Sequence, residues 1–238
     1  MSLLSNVYRN YANTLSTYPK VDTSNRSLDE KAIRLDLPAF FSGELIKLGR
    51  AEESYKVYGG IGQLNFNRAL IPWVAICDKE ITTTTNGGFY VVLLFNQDMS
   101  GCYLSLNQGY SQFKTLYGPA GVAKRYIERS ANICTQYVDL EPGLIVGPIK
   151  LGATHDMGRG YERGAIASKF FSDSVSEQDV EFRQTFASLI DHYDVLKRRI
   201  GKDVINVLPP AAEQDFQSAV QELACDGKKS SLPPGPMK

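Results

Sequence analysis

The chain has 238 residues, 43% hydrophobic and 22% charged, with 26 basic and 26 acidic side chains and therefore no formal net charge. This is enough chain to bury a sizeable core and an ordinary globular composition, which excludes a disordered chain. The balanced charge excludes a global field drawing the protein to polyanions, so a nucleic-acid partner has to be held by a local patch.

The N-terminal segment places Leu4, Val7, Tyr8, Tyr11, Leu15 and Tyr18 at steps of three and four residues. That spacing predicts an amphipathic helix, stopped at Tyr18 because Pro19 disfavours helical geometry in the residue before it. A polar linker and a stretch of mixed character follow. From Tyr55 to Leu106 the pattern changes: "YKVYGG", "IPWVAICD", "GFYVVLLFNQD" and "GCYLSLNQG" are β-branched and aromatic runs punctuated by glycine and asparagine, the mark of strands. "TTTTNGGF" is a hairpin connection, with Asn86-Gly87-Gly88 supplying positive φ. Pro119 opens a helix on which Val122, Tyr126, Ile133 and Tyr137 share a face. "GLIVGPIKLG" is β-like, and "GRGYERGAIASKFF" is a glycine- and arginine-rich loop with a strand in its second half. Phe182, Phe186, Leu189, Tyr193, Leu196 and Ile200 form a core-facing helical stripe that ends at Gly201, with Ser176 and Asp179 as its N-terminal cap. After Pro209-Pro210 a short helix, "EQDFQSAVQELA", leads into a Ser/Pro/Gly/Lys-rich tail. The expected fold class is α+β: one mainly antiparallel, curved sheet flanked by helices, with N- and C-terminal helices packed on it. Residues 1–210 form the domain and 211–238 the short helix and tail.

Signatures of catalysis are sparse. The chain has no GxSxG elbow, no HExxH and no Cys/His metal cluster, so no catalytic residue, metal or cofactor is assigned. "GGIGQ" lacks the Lys-Ser/Thr of a phosphate-binding loop and leads into a strand, so no helix N-terminus faces a phosphate. His155 beside Asp156 is the one candidate general base, and a small hydrolase centred on that pair is an alternative. Cys77, Cys102, Cys134 and Cys225 show no CxxC spacing. The N-terminus lacks a secretory apolar core, and no apolar run reaches the roughly 20 residues of a membrane span. Reduced thiols and a cytoplasmic location are expected.

What remains is an aromatic strand cluster beside a bare glycine turn. Alternation puts Ile71, Trp73, Ala75 and Cys77 on one face of their strand, and Tyr90, Val92 and Leu94 opposite Phe89, Val91, Leu93 and Phe95 on the next. Should Trp73, Tyr90 and Leu94 face the same side, they line an apolar recess with two polar tips. Glycines 59, 60 and 62 would let another molecule approach it closely. An ordinary core tryptophan next to an ordinary turn satisfies the same spacing.

"GGIGQ", "IPWVAICD", "GFYVVLLFNQD" and "YLSLNQG", taken in this order, resemble the N-terminal DNA-binding domain family of McrB, the specificity subunit of modification-dependent restriction systems. The likeness continues through "YERGAIASKFF" and "FRQTFASLIDHYDVLK", over roughly residues 55 to 210. It implies binding to double-stranded DNA carrying a modified cytosine, 5-methylcytosine or a related C5 derivative. The base would be turned out of the helix into a pocket that supplies stacking faces and a few hydrogen-bonding groups. Carried over by position, Trp73, Tyr90 and Leu94 are the pocket residues, with Ile61 at its edge. Gly60, Gly62, Gln63 and Phe66 form the loop that approaches the DNA. The chain departs from the family pattern at Ile61, where the family has tyrosine, and in the added "LNFNRAL". Ile61 or Phe66 is the expected wedge into the base stack. Lys56, Arg68, Lys114, Arg125 and Arg159 are the expected phosphate contacts, from a wider basic set with Lys47, Arg50, Lys124, Arg129 and Arg163. The likeness further implies a fused or associated effector, an HNH nuclease or an AAA+ GTPase motor. A reader of another nucleobase, or of RNA, using the same recess is the remaining alternative.

Overall fold

The computed structural model describes residues 2–21 and 27–208. The predicted C-terminal helix, the tail and Cys225 lie outside the described residues. Helix α1 (Leu3–Thr17) begins at Ser2, whose hydroxyl accepts from the Ser5 N–H, and buries Leu4, Val7, Tyr11 and Thr14. The mixed stretch after it is helical, as α2 (Leu28–Lys31), a π-helical turn (Ala32–Asp36) and α3 (Leu37–Lys47). The widened turn ends two residues before Pro38, which has no N–H to donate and whose ring crowds the preceding carbonyls.

Strands β1 (Tyr55–Gly60), β2 (Trp73–Asp78), β3 (Phe89–Phe95) and β4 (Gly101–Gln108) follow. Then come α4 (Tyr110–Tyr117), α5 (Ala120–Cys134), β5 (Ile145–Val146), α6 (Asp156–Arg163), β6 (Ala167–Ser172) and α7 (Val180–Ile200). The sheet order is β1-β2-β3-β4-β6-β5, with every neighbouring pair antiparallel. The α+β architecture expected from the sequence is the one observed.

Every residue of β3 and β4 is buried, because helices and loops cover both faces. Val74, Ile76, Val91, Leu93, Leu104 and Leu106 point into the main core with residues of α1, α3, α5 and α7. Tyr193 on α7 ties the layers together: its hydroxyl donates to the Phe89 carbonyl (3.0 Å) and accepts from the Asp78 N–H (2.9 Å). The opposite face carries a smaller cluster of Ile71, Ala75, Cys77, Tyr90, Val92, Leu94 and Tyr103, with Trp73, Tyr58 and Tyr161 packed on it.

Several local expectations change. Helix α4 lies in a run without a clean period and was not anticipated. On α5 the buried stripe is Val122, Ala123, Tyr126, Ile127, Ser130, Ala131 and Cys134, while Tyr137 lies past its end and is exposed. Asp179 caps α7 by position, but its carboxylate accepts from the Ser176 N–H (2.7 Å). The largest correction is "HDMGRGYERG", expected to be a loop, which forms helix α6. Gly158 and Gly160 weaken its intrinsic preference, yet each is where a neighbour needs room. A Cβ on Gly160 would lie 2.2 Å from the Tyr110 ring, and one on Gly158 2.8 Å from Ile71 Cδ1. Cys77, Cys102 and Cys134 are free and buried. Among the described residues, no helix is long and apolar enough to cross a membrane.

Candidate nucleic-acid interface

The β2–β3 register sets Trp73 opposite Leu94 and Ala75 opposite Val92. Alternation then brings Trp73, Tyr90 and Leu94 to one side of the sheet, around a recess also lined by Thr85, Val92, Asn107 and Tyr161. Across β1–β2, Gly60 is the partner of Trp73, and the indole lies over it: a Cβ there would sit 2.2 Å from Trp73 Cζ2 and 2.3 Å from Cε2. The glycine is bare because the tryptophan lies on it, so this face of Gly60 is closed to an approaching molecule. Tyr58 meets the indole edge-on, with centroids 5.3 Å apart and planes at 84°. Trp73 itself is only half-buried.

Several polar groups around the recess are tied down. Tyr90 Oη shares its one proton between the carbonyls of Thr85 (3.2 Å) and Gln108 (3.3 Å), while Tyr58 Oη accepts from the Thr85 N–H (2.9 Å). Asn107 Nδ2 donates to the Tyr161 carbonyl (3.0 Å), and its Oδ1 accepts from the Gln108 N–H (2.7 Å). Burial raises the phenol pKa values of Tyr58, Tyr90 and Tyr161, so all three stay protonated at neutral pH. It also pushes the Cys77 thiol up to about 12, which leaves no nucleophilic thiolate on this face. The cavity measures about 10 Å³, room for one water. A planar ring therefore enters only if a wall swings outward.

The loop between β1 and β2 divides its residues between two environments. Ile61, expected at the pocket edge, is 1% exposed and belongs to the main core. It is neither part of the recess nor available as a wedge, because the strand has left the recess face by that point. Gly62 (φ +110°) turns the chain, and a Cβ on it would stand 2.7 Å from the Asn67 carbonyl. Gln63 is exposed, and Leu64 and Phe66 project with 48% and 62% of their surface free. Backbone bonds hold the loop's base: Val21 N–H to the Phe66 carbonyl (3.0 Å), Asn65 N–H to that of Val21 (2.9 Å) and Ala69 N–H to that of Ile61 (2.7 Å). Phe66 is thus an exposed apolar ring on a pinned loop.

The expected phosphate contacts divide as well. Lys56 is exposed on the recess side of β1, with Nζ 2.8 Å from the Thr83 carbonyl and 4.7 Å above the Tyr58 ring. Arg68 is buried. Its Nε donates to the Tyr18 carbonyl (2.7 Å) and its Nη2 pairs with Glu30 (3.2 Å), sealed where the loop crosses α1 and α2. It is a structural cation with no access to DNA. Lys114 pairs with Asp156 (2.9 Å), as does Lys124 (3.0 Å). Arg125 and Arg159 line a polar, solvent-facing cleft of about 390 Å³ between α5 and α6, together with Lys124, Arg163, Glu128 and Glu162. Arg159 and Arg163, four apart, share a face of α6; Tyr161 lies roughly 200° around it and reaches the recess. His155 precedes α6 with Nδ1 buried and without a partner, and Asp156 is engaged by the two lysines. Among the described residues no His/Cys/Asp/Glu group is arranged to hold a metal.

Sequence reasoning missed Tyr58, Thr85, Asn107 and Tyr161 as recess residues. Asn107 left a trace, as one of the two polar side chains that end β4. Compared with known proteins, residues 14–198 match the family model described as MrcB-like, N-terminal domain. No curated protein and no solved structure matches the chain.

Proposed function

Because the chain belongs to the MrcB-like N-terminal domain family, a membership consistent with a DNA-binding specificity module, we propose that it reads duplex DNA containing a C5-modified cytosine. The base is turned out of the stack into the Trp73 recess, one wall of which swings outward to admit it. The observation that carries this reading is the recess itself: a partly exposed indole, two phenol rings and two aliphatic side chains meet around one small cavity.

Unpairing and unstacking a base costs a few kcal/mol. Stacking on an aromatic face returns about 1–3 kcal/mol per base, and Phe66, entering the vacated stack from its pinned loop, offsets part of the remainder. A C5 methyl seated against Val92 or Leu94 adds about 0.8 kcal/mol, roughly fourfold in affinity. Lys56, Arg125 and Arg159 hold phosphates and position the duplex without reading its sequence. On this reading the chain is a recognition domain over residues 1–210. It is cytoplasmic and without catalytic activity of its own, and residues 211–238 lead to a fused or associated nuclease or motor.

The test is fluorescence anisotropy on duplexes identical except at one cytosine, which is plain, 5-methylated or 5-hydroxymethylated. The wild type should prefer a modified duplex by at least about fourfold, and Trp73→Ala should bring the ratio to one. A folded Trp73→Ala protein with undiminished preference refutes the assignment of the recess. Phe66→Ala should weaken every duplex alike while leaving the melting temperature unchanged.

A further inference from the structure

Asp156 opens α6 with an unusual set of partners. Its carboxylate accepts from Lys114 Nζ at 2.9 Å, Lys124 Nζ at 3.0 Å and Tyr110 Oη at 3.2 Å. Tyr110 and Lys114 stand four apart on α4, so they share a face; Lys124 comes from α5. Three helices therefore converge two cations and one phenol on a single oxyanion. The site is open to water, with side-chain exposures of 41% for Lys114, 24% for Lys124 and 35% for Asp156. The ion pairs outweigh the penalty of burial, and the carboxyl is held below its usual range.

Two ammonium groups and a hydroxyl around one anionic oxygen pair are the donors that a phosphodiester takes. The cluster also adjoins both sides of the recess. Helix α4 grips the loop that carries Thr85, through Gln112 N–H to the Asn86 carbonyl (2.9 Å) and Gly88 N–H to Gln112 Oε1 (2.9 Å). Helix α6, which Asp156 begins, carries Tyr161.

We infer that Lys114, Lys124 and Tyr110 form a phosphodiester site of the proposed DNA interface, and that Asp156 occupies it while DNA is absent. This rests on the duplex-binding reading given above. The carboxylate competes with every phosphate, whatever the adjacent base. It thus lowers sequence-independent affinity and leaves selection to the recess. In a chain with 26 basic and 26 acidic residues, such local masking decides how many cations a duplex meets.

Asp156→Asn keeps the shape and removes the competing charge. Plain and modified duplexes should both bind more tightly, by the same factor, on the order of threefold to tenfold. The plot of log affinity against log salt should steepen by up to about one, and the ratio of modified to plain should stay constant. Unchanged or weaker binding by Asp156→Asn, with a wild-type melting curve, overturns the inference while a discriminating wild type keeps the reading of the recess intact. Should that variant not fold, Lys124→Gln and Lys114→Gln serve in its place. Each should make the salt plot shallower, and a slope equal to wild type in both overturns the inference. A wild-type chain that binds no duplex at any salt overturns this inference and the duplex reading together.

Discussion

Gly60→Ala is the sharpest perturbation of the recess, since it adds one methyl group beneath the indole and leaves every named side chain in place. The new Cβ would stand 2.2, 2.3 and 2.8 Å from three atoms of the Trp73 ring. Ordinary contact begins near 3.4 Å, so the ring has to move by about 1.2 Å (3.4 minus 2.2). Tyr58 stands at its edge and Leu94 opposite it in the register, and they limit the direction of escape. Overpacking of this kind costs about 1–3 kcal/mol, a fall in melting temperature of roughly 2–12 °C for a domain of this size. Trp73 is the only tryptophan of the chain, so its emission maximum and its quenching by iodide report the displacement directly. Preference for a modified duplex should fall with it, if the recess is the reading site. Trp73→Phe lacks the distal ring and should relieve the overlap, giving a coupling of about 0.5–3 kcal/mol in a double-mutant cycle with Gly60→Ala. Unaltered fluorescence and stability in Gly60→Ala would refute the close packing of indole on glycine.

Arg68→Ala should lower stability by about 1–3 kcal/mol, because Glu30 loses its buried partner and keeps only the half-exposed Arg34. Calorimetry would record this, and a protein of near-wild-type stability with a shallower salt dependence of DNA binding would return Arg68 to the phosphate contacts. Hydrogen bonds from Ser188 Oγ (2.7 Å) and His192 (2.8 Å) hold the Glu141 carboxyl at about 2, below its usual 4.5. A depressed folded-state value stabilises the protein above pH 4.5, and that contribution is lost as pH falls from 4.5 through 2. The side chain is 55% exposed, so solvent screening keeps the contribution to about 0.5 kcal/mol or less. Urea midpoints at pH 6 and pH 3 should therefore converge slightly in Glu141→Gln, and an acid dependence identical to wild type would refute the assignment.

Local pattern alone determined a good part of this protein. Steps of three and four placed α1 and α7, and β-branched and aromatic runs between turn residues placed β1 to β4. Alternation put Trp73 with Ala75 and Tyr90 with Leu94 on faces that the register then joined. These features depend on side-chain periods within one element, which a linear chain displays directly. Tertiary structure decided the rest. The glycines of α6 argue against a helix until Tyr110 and Ile71 are seen filling the space they leave. Arg68 and Lys56 are equivalent as sequence, but one is sealed against Glu30 and the other faces water. Ile61 directly follows Gly60, which lies beneath the recess indole, and yet belongs to the opposite core. Tyr161 reaches a recess built by residues 73 to 107, far earlier in the chain. Burial and charge pairing depend on which distant segment arrives at a given side chain, and that is settled by strand register and helix packing.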